Sequence, residues 1–309
     1  MRDVRRNDRG YRGKKLMTGP EKKKLVSIII PIYNGERYIE ETIRNVLNQT
    51  YTELEVLCII DGTTDESANI IRRLGDDRVK IVMQENSGAT RTRNRGLSMA
   101  TGEFILFLDQ DDVIKPEFIE LTVREIIRTN SSGVAVNGHL IDSDGKIIRR
   151  MYRVNKPKLT LKSLLKGNQM YTPSQVLLRR EKLAEIGAFD VKADQADDWD
   201  MWIRHARSGK LVFLDRYLMG YRMHDANQSL NRDKMLRSEL HIVERKLADI
   251  GKAEFIKSYS YMRYSKGAGD WNALAKAVQL NGMLVLKPRF YVTLCQVALR
   301  RRKIRKEGG

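Results

Sequence analysis

Leu25-Val26-Ser27-Ile28-Ile29-Ile30-Pro31-Ile32-Tyr33-Asn34-Gly35 opens the informative part of the chain. Its apolar, β-branched first half reads as a buried strand, and Pro31 with Asn34-Gly35 turns it into a loop. Behind the loop, Glu36 to Gln49 carries helical spacing. The unit is therefore strand, loop, helix. It repeats outward: Leu54 to Ile60 is a strand cut by Asp61-Gly62, Thr64 to Leu74 a helix, Val79 to Met83 a strand, Gly88 to Ala100 a helix, and Glu103 to Leu108 a fourth strand. Short strands alternating with helices predict an α/β fold, a mostly parallel sheet covered by helices on both faces.

Beyond it, Pro116 suits the first turn of a helix reaching about Arg128. Val134 to Ile148, broken at Asp144-Gly145, predicts a hairpin. A helix near Leu159 to Lys166, a strand at Ser174 to Arg179, a loop from Gly187 to Asp197 and a helix from Asp198 to Ser208 follow. From Leu236 the pattern is helical and basic. The 309 residues thus divide into a basic, disordered leader (1–24), an α/β domain (25–235) and a helical extension (236–309).

The net charge of +18 sits at the ends. Residues 1–24 hold ten Lys/Arg against three Asp/Glu, and residues 287–309 hold eight against one, so only +4 is left for the 262 residues between. Two basic tails on a balanced body point to an anionic membrane surface, or serve solubility. Nucleic acid is disfavoured, because the tails lack a binding motif with interleaved aromatics. No stretch of about 20 apolar residues occurs, and the N-terminus lacks the apolar segment of a secretory signal. The expectation is a cytoplasmic protein, peripheral on the inner face of the membrane. Cys58 and Cys295 have no neighbouring ligand partner and are expected as free thiols.

Ligands of such sheets bind at the carboxyl ends of strands, where Tyr33, Asp61 and the cluster Asp109-Gln110-Asp111-Asp112 fall. Crowded carboxylates repel unless a cation or hydrogen-bond donors relieve them. Hard oxygen ligands suit Mg²⁺ or Mn²⁺, which can hold a diphosphate. The plainer reading is an acidic turn in which Asp112 helps cap the next helix. Asp61-Gly62 is either a turn or a carboxylate for a nucleobase N–H, and Tyr33 an aromatic beside the base or a packing residue. In Asp197-Asp198-Trp199-Asp200-Met201-Trp202 the acidic pair opens a helix with an apolar stripe. Helix capping accounts for it, as does a base that takes the proton of an attacking hydroxyl.

With these segments in hand, the chain resembles the family 2 glycosyltransferases over residues 25 to 230. The matching stretches are Val26 to Gly35, Asp61-Gly62-Thr63-Thr64-Asp65, Ala100-Thr101-Gly102-Glu103, Leu108 to Asp112 and Asp197 to Asp200. The resemblance implies a GT-A fold, an inverting mechanism and a uridine- or thymidine-diphosphate sugar as donor. By position it implies that Pro31 and Tyr33 line the nucleotide pocket, Asp61 binds the base, and Arg93 lies near the donor. It makes Asp109 and Asp111 the acidic motif, Asp111 the direct metal ligand, and Asp198 the base. His224, in Tyr221-Arg222-Met223-His224, would contact metal or phosphate. The acceptor would be a saccharide or lipid-linked sugar of cell-surface polysaccharide or glycolipid assembly. Two departures stand out: Ile60 where the family usually has Asp, and Asp197 where it has Glu.

Competing readings are a sugar nucleotidyltransferase and a non-catalytic module for an anionic polymer. The first calls for a Gly-rich basic loop after the first strand, absent from Pro31 to Glu36. Asp111 and Asp198, both carboxylates, speak against the second. No Gly-x-Gly-x-x-Gly or P-loop sequence is present.

Overall fold

The computed structural model describes residues 24–152, 156–225 and 231–307. The predicted leader lies outside these but for Lys24. Along the first half run β1 (Val26–Ile32), α1 (Ile39–Leu47), β2 (Leu54–Asp61), α2 (Ser67–Leu74), β3 (Val79–Gln84), α3 (Ala89–Met99) and β4 (Phe104–Phe107). The four strands pair in parallel in the order β3-β2-β1-β4. Every residue of β2 is buried, as the apolar run Val56 to Ile60 requires of a central strand.

Pro31 is tolerated in β1 for a local reason. Alternate residues share an edge, so Pro31 faces the same side as Ile29, whose carbonyl accepts from Leu108 N. Pairing with β4 has ended at Ile29–Phe107, so the missing N–H of Pro31 breaks no rung. On the helical side, Gly96 lets α3 approach β1: a Cβ there would lie 2.3 Å from Ile29 Cγ2.

The second half comprises β5 (Val113–Ile114), α4 (Phe118–Thr129), β6 (Gly133–Ile141), β7 (Ile147–Arg150), α5 (Leu161–Leu164), β8 (Val176–Arg179), α6 (Arg180–Ile186), α7 (Asp197–Ser208) and β9 (Leu211–Arg222). It extends the sheet to β3-β2-β1-β4-β8-β6-β9-β5, with β7 on β6. The β6–β7 hairpin turns at Gly145 with φ +81°, as Asp144-Gly145 predicts. β8 runs antiparallel to β4 and β6, and β5 antiparallel to β9. The sheet is therefore mixed: parallel where the strand–helix alternation lies, and beyond β4 antiparallel except for the parallel pair β6 and β9.

β9 is the largest element without a sequence signal. Its twelve residues are mostly half-buried, and Asp215 and Arg216 cut the short apolar run Leu211 to Leu214, so no clean alternation marks the whole strand. Pairing with β6, in parallel and through two register shifts, creates it.

Two apolar layers cover the sheet, one including Ile28, Ile30, Val56 and Phe118, the other Phe107, Trp199, Trp202 and Ile203. The C-terminal helices α8 (Arg232–Lys246), α9 (Ala253–Ala268), α10 (Trp271–Leu280) and α11 (Pro288–Glu307) follow, α8 and α9 joining the second layer through Ile242, Val243 and Ile256. They also hold a small core of their own around Leu274, Ala277, Leu284 and Val297. Among the described residues no helix is long and apolar enough to cross a membrane. Cys58, buried, and Cys295, exposed, are both free.

Candidate active site

The acidic cluster leaves β4 and enters β5, so the chain reverses with three carboxylates close together. Asp109 Oδ1 accepts from Arg93 Nη2 at 2.8 Å and Oδ2 from the Thr172 hydroxyl at 2.8 Å. Asp112 does not cap α4; it is wholly buried, accepting from Arg222 N at 3.1 Å and standing 3.2 Å from the same Thr172 hydroxyl. One hydroxyl proton cannot serve two carboxylates. Burial first, then Asp111 and Asp109, push the Asp112 carboxyl well above the usual range.

Asp111 points the other way. Its Oδ2 lies 2.6 Å from His224 Nε2, and the imidazole stacks on Tyr38 with centroids 5.4 Å apart. Burial and then Asp109 raise the Asp111 carboxyl, while His224 opposes them. The sequence separation of 113 residues is closed by β9, which delivers His224 just past its end.

Arg93, on α3, links the acidic cluster to α7. Its guanidinium donates to Asp109 at 2.8 Å and to Asp197 Oδ2 at 3.3 Å, and its side chain is only 11% exposed. Burial would lower the arginine, but Asp109 and Asp197 outweigh it and hold the charge firmly. Asp197 also accepts from Thr90 Oγ1 at 2.9 Å. The next residue of α3, Asn94, clamps the backbone of Phe189 with two bonds of 2.8 and 2.9 Å, anchoring the loop that leads to α7.

Asp198 stands beside this pair, half-buried. Asn168 Nδ2 donates to its Oδ2 at 2.7 Å, and Trp199 N to its Oδ1 at 2.6 Å. Burial, and then Asp197, push its carboxyl up to about 7. A carboxyl poised there can exchange a proton near neutral pH.

At the other end of the site, Asp61 closes β2. Its oxygens accept from Gln84 Nε2 at 2.6 Å, Ser87 N at 2.8 Å and Gly88 N at 2.9 Å. Burial acts to raise it, but these donors together hold it below the usual carboxylate range. Asp61 thus fastens the start of α3 to β2. Gly62 follows with φ +68°, and a Cβ there would meet Asn86 N at 2.6 Å. Ile60, in place of the family's usual Asp, is fully buried in the core.

Gln110, to which no local pattern assigns a role, clamps Tyr33: it accepts from Tyr33 N at 2.9 Å and donates to Tyr33 O at 3.0 Å. The Tyr33 residue is left 51% exposed at the mouth, beyond Pro31. Asn168 and Thr172 are likewise site residues that the sequence does not mark. They lie in the 167–175 loop, and no local pattern marks a residue that touches carboxylates 30 to 63 positions away.

A divalent cation is compatible with what is present. Asp111 and His224 converge on one point, and Mg²⁺ or Mn²⁺ commonly takes one or two protein ligands with the rest from substrate phosphates. No set of three or more acidic, His or Cys ligands occurs among the described residues, so the cation would rely on the diphosphate. Both Asp109 oxygens are already engaged by Arg93 and Thr172.

Tyr33 at the end of β1 and carboxylates at the ends of β2 and β4, with a second carboxylate pair on α7 brought beside them, define a glycosyltransferase of the GT-A type. The chain belongs to glycosyl transferase family 2, whose model matches residues 27–187. It is similar to the chondroitin synthase of Pasteurella multocida (strain Pm70), with 29% identity over 244 residues, covering 77% of this chain and 24% of that synthase. The chain therefore spans about a quarter of that relative's length. Among solved structures, S. aureus TarS 1–349 in complex with UDP-GlcNAc superposes with a TM-score of 0.64 at 18% identity, covering 92% of each chain. The mannosyltransferase PcManGT from Pyrobaculum calidifontis, in complex with GDP-Man and Mn²⁺, gives 0.55 at 18%, covering 91% of this chain and 88% of that one. At these identities the two structures speak to the fold.

Proposed function

We propose that the chain moves a sugar from a uridine- or thymidine-diphosphate donor to an acceptor hydroxyl with inversion, in assembly of a cell-surface polysaccharide or glycolipid. One observation carries this: Arg93 holds Asp109 and Asp197 in one ion-pair network, so the acidic motif and the Asp198 carboxylate face one site. In this reading Pro31 and Tyr33 flank the nucleotide, and Asp61 shapes the pocket wall and meets the base. Asp111 and His224 hold Mn²⁺ or Mg²⁺, with Asp109 in support through Arg93. Such a cation, when bound, neutralises the diphosphate as the leaving group gains charge. Asp198 takes the acceptor hydroxyl's proton while that oxygen bonds to the anomeric carbon and the bond to the diphosphate breaks. Attack from the side opposite the leaving group inverts the centre. UDP-GlcNAc in the TarS complex and Mn²⁺ in PcManGT support the donor class and the cation.

The test is nucleotide release from uridine-, thymidine- and guanosine-diphosphate sugars with Mn²⁺ or Mg²⁺. We expect metal-dependent release from a uridine or thymidine donor, and an Asp111→Asn turnover at least about a hundredfold lower, since Lewis-acid stabilisation is worth several kcal/mol. Melting should be little changed, because Asn removes a carboxylate that its neighbours disfavour. Full turnover by Asp111→Asn would end the metal assignment.

We further propose that residues 25–235 act as the catalytic domain and that residues 236–309 rest on an anionic cytoplasmic leaflet. Met283, Leu286, Tyr291, Val292 and Leu299 are exposed large apolar residues within 17 positions, interspersed with Lys287, Arg289 and Arg300. Apolar contact plus basic charge is the combination that holds a helix at an anionic interface. Phosphatidylglycerol liposomes should float the protein, and Leu286→Asp with Arg289→Glu should leave it at the bottom of the gradient. Equal flotation of both proteins would refute the surface.

A further inference from the structure

The 167–175 loop touches both halves of the site. Asn168 donates to Asp198 at 2.7 Å, and Thr172 donates to Asp109 at 2.8 Å. Between them, one residue from Thr172 and three from Asn168, sits Tyr171. Buried tyrosines in this protein need no explanation, but Tyr171 is 38% exposed. It is also held rather than loose. Its backbone N–H donates to Gln175 Oε1 at 2.6 Å, and its hydroxyl to Met151 O at 3.3 Å. Tyr152 packs edge-on at 5.5 Å between centroids, and Tyr221 lies at 6.4 Å. An ordered aromatic with open surface, on the same loop as the Asn168 that holds Asp198, is a surface on which a pyranose can pack its C–H face.

A cation accompanies it. The Arg149 guanidinium, reaching from the edge strand β7, lies 5.9 Å from the Tyr171 ring centre. Arg149 is exposed and donates only to the Arg150 carbonyl, at 3.3 Å; it has no ion-pair partner among the described residues. A guanidinium fork pairs with a carboxylate through two parallel bonds. None of the residues assigned to donor, cation or base is used in this arrangement.

We propose that Tyr171 and Arg149 form the acceptor subsite and that it takes a pyranose bearing an acidic group. This rests on the transferase reading, in which Asp198 must face the acceptor hydroxyl. Tyr171 supplies the stacking surface and Arg149 pairs with the acidic substituent, so the loop that positions Asp198 also presents the incoming sugar to it.

The experiment uses the full chain and ligand-observed NMR with two probes, a uronic-acid-terminated disaccharide and its carboxyl-reduced neutral counterpart. Wild type should bind the acidic probe more tightly by roughly tenfold, the scale of a hydrogen-bonded charge pair. Arg149→Ala should bind both probes alike, and Tyr171→Ala should weaken both by about tenfold or more. Arg149 is exposed, so its variant cannot lose binding through unfolding; Tyr171→Phe keeps the ring and should retain most binding. Titration of UDP into the same proteins reads the donor pocket separately, so its failure would strike the donor reading and leave the saccharide data standing. Equal binding of the two probes by wild type, or wild-type binding by Tyr171→Ala, would overturn the subsite.

Discussion

Arg93→Met is expected to be the most damaging single change at the site. The substitution keeps bulk but leaves Asp109, Asp197 and Asp198 without the cation that faces them. Breaking a buried ion pair by removing one partner costs about 3–5 kcal/mol. For a chain of this size that corresponds to a fall in melting temperature of about 10 °C. Turnover should fall too, because α7 loses its tie to the acidic motif. Arg93→Lys should land between, since an ammonium keeps the charge but cannot fork to two carboxylates.

The pH dependence separates this mechanism from a packing defect. Asp197 and Asp198 have carboxyls raised by burial in the native state, Asp198 up to about 7. A carboxyl whose folded value lies above its unfolded value binds its proton more tightly in the fold, so stability drains away as pH rises from the unfolded value through the folded one. Without Arg93 those values rise further. The deficit of Arg93→Met should be largest above pH 7 and shrink as pH falls toward about 4, the unfolded carboxyl range. A deficit constant between pH 4 and 8 would show that lost packing, and not exposed charge, is the cause.

The second large effect is chemical. Asp198→Asn should lower kcat by about 10²- to 10⁴-fold, the usual worth of a positioned base. Donor affinity should barely move. In wild type, transfer requires the ionised carboxylate, so activity should fall as pH drops through about 7, the position of the raised carboxyl. The variant's residual activity should lack that limb. Because the charged form is disfavoured in the fold, Asp198→Asn should be at least as stable as wild type at pH 8. If the limb at pH 7 persisted in the variant, another group would have to be the base.

The parts of the fold that were legible are those written in consecutive residues. β1 to β4 and the helices between them follow from apolar runs broken by Pro31, Asp61-Gly62 and Gly88, because parallel strands covered by helices are mainly apolar. The acidic cluster and Asp197-Asp198 were visible as residues, and strand ends in an α/β sheet say where they go. β9 was not legible, since its half-buried mixture of polar and apolar residues becomes a strand only when β6 offers it hydrogen bonds.

By itself the sequence determined that carboxylates would gather at the carboxyl edge of a helix-covered sheet, since strand periodicity and chain reversal are local properties. Only the tertiary structure decided what each one touches. Arg93 reaches across 104 positions to Asp197, His224 across 113 to Asp111, and Thr172 across 63 to Asp109. Asp61 spends its oxygens on Gln84, Ser87 and Gly88. The charge state and direction of a carboxylate depend on burial and on donors brought from distant segments, and those exist only once the chain has closed around them.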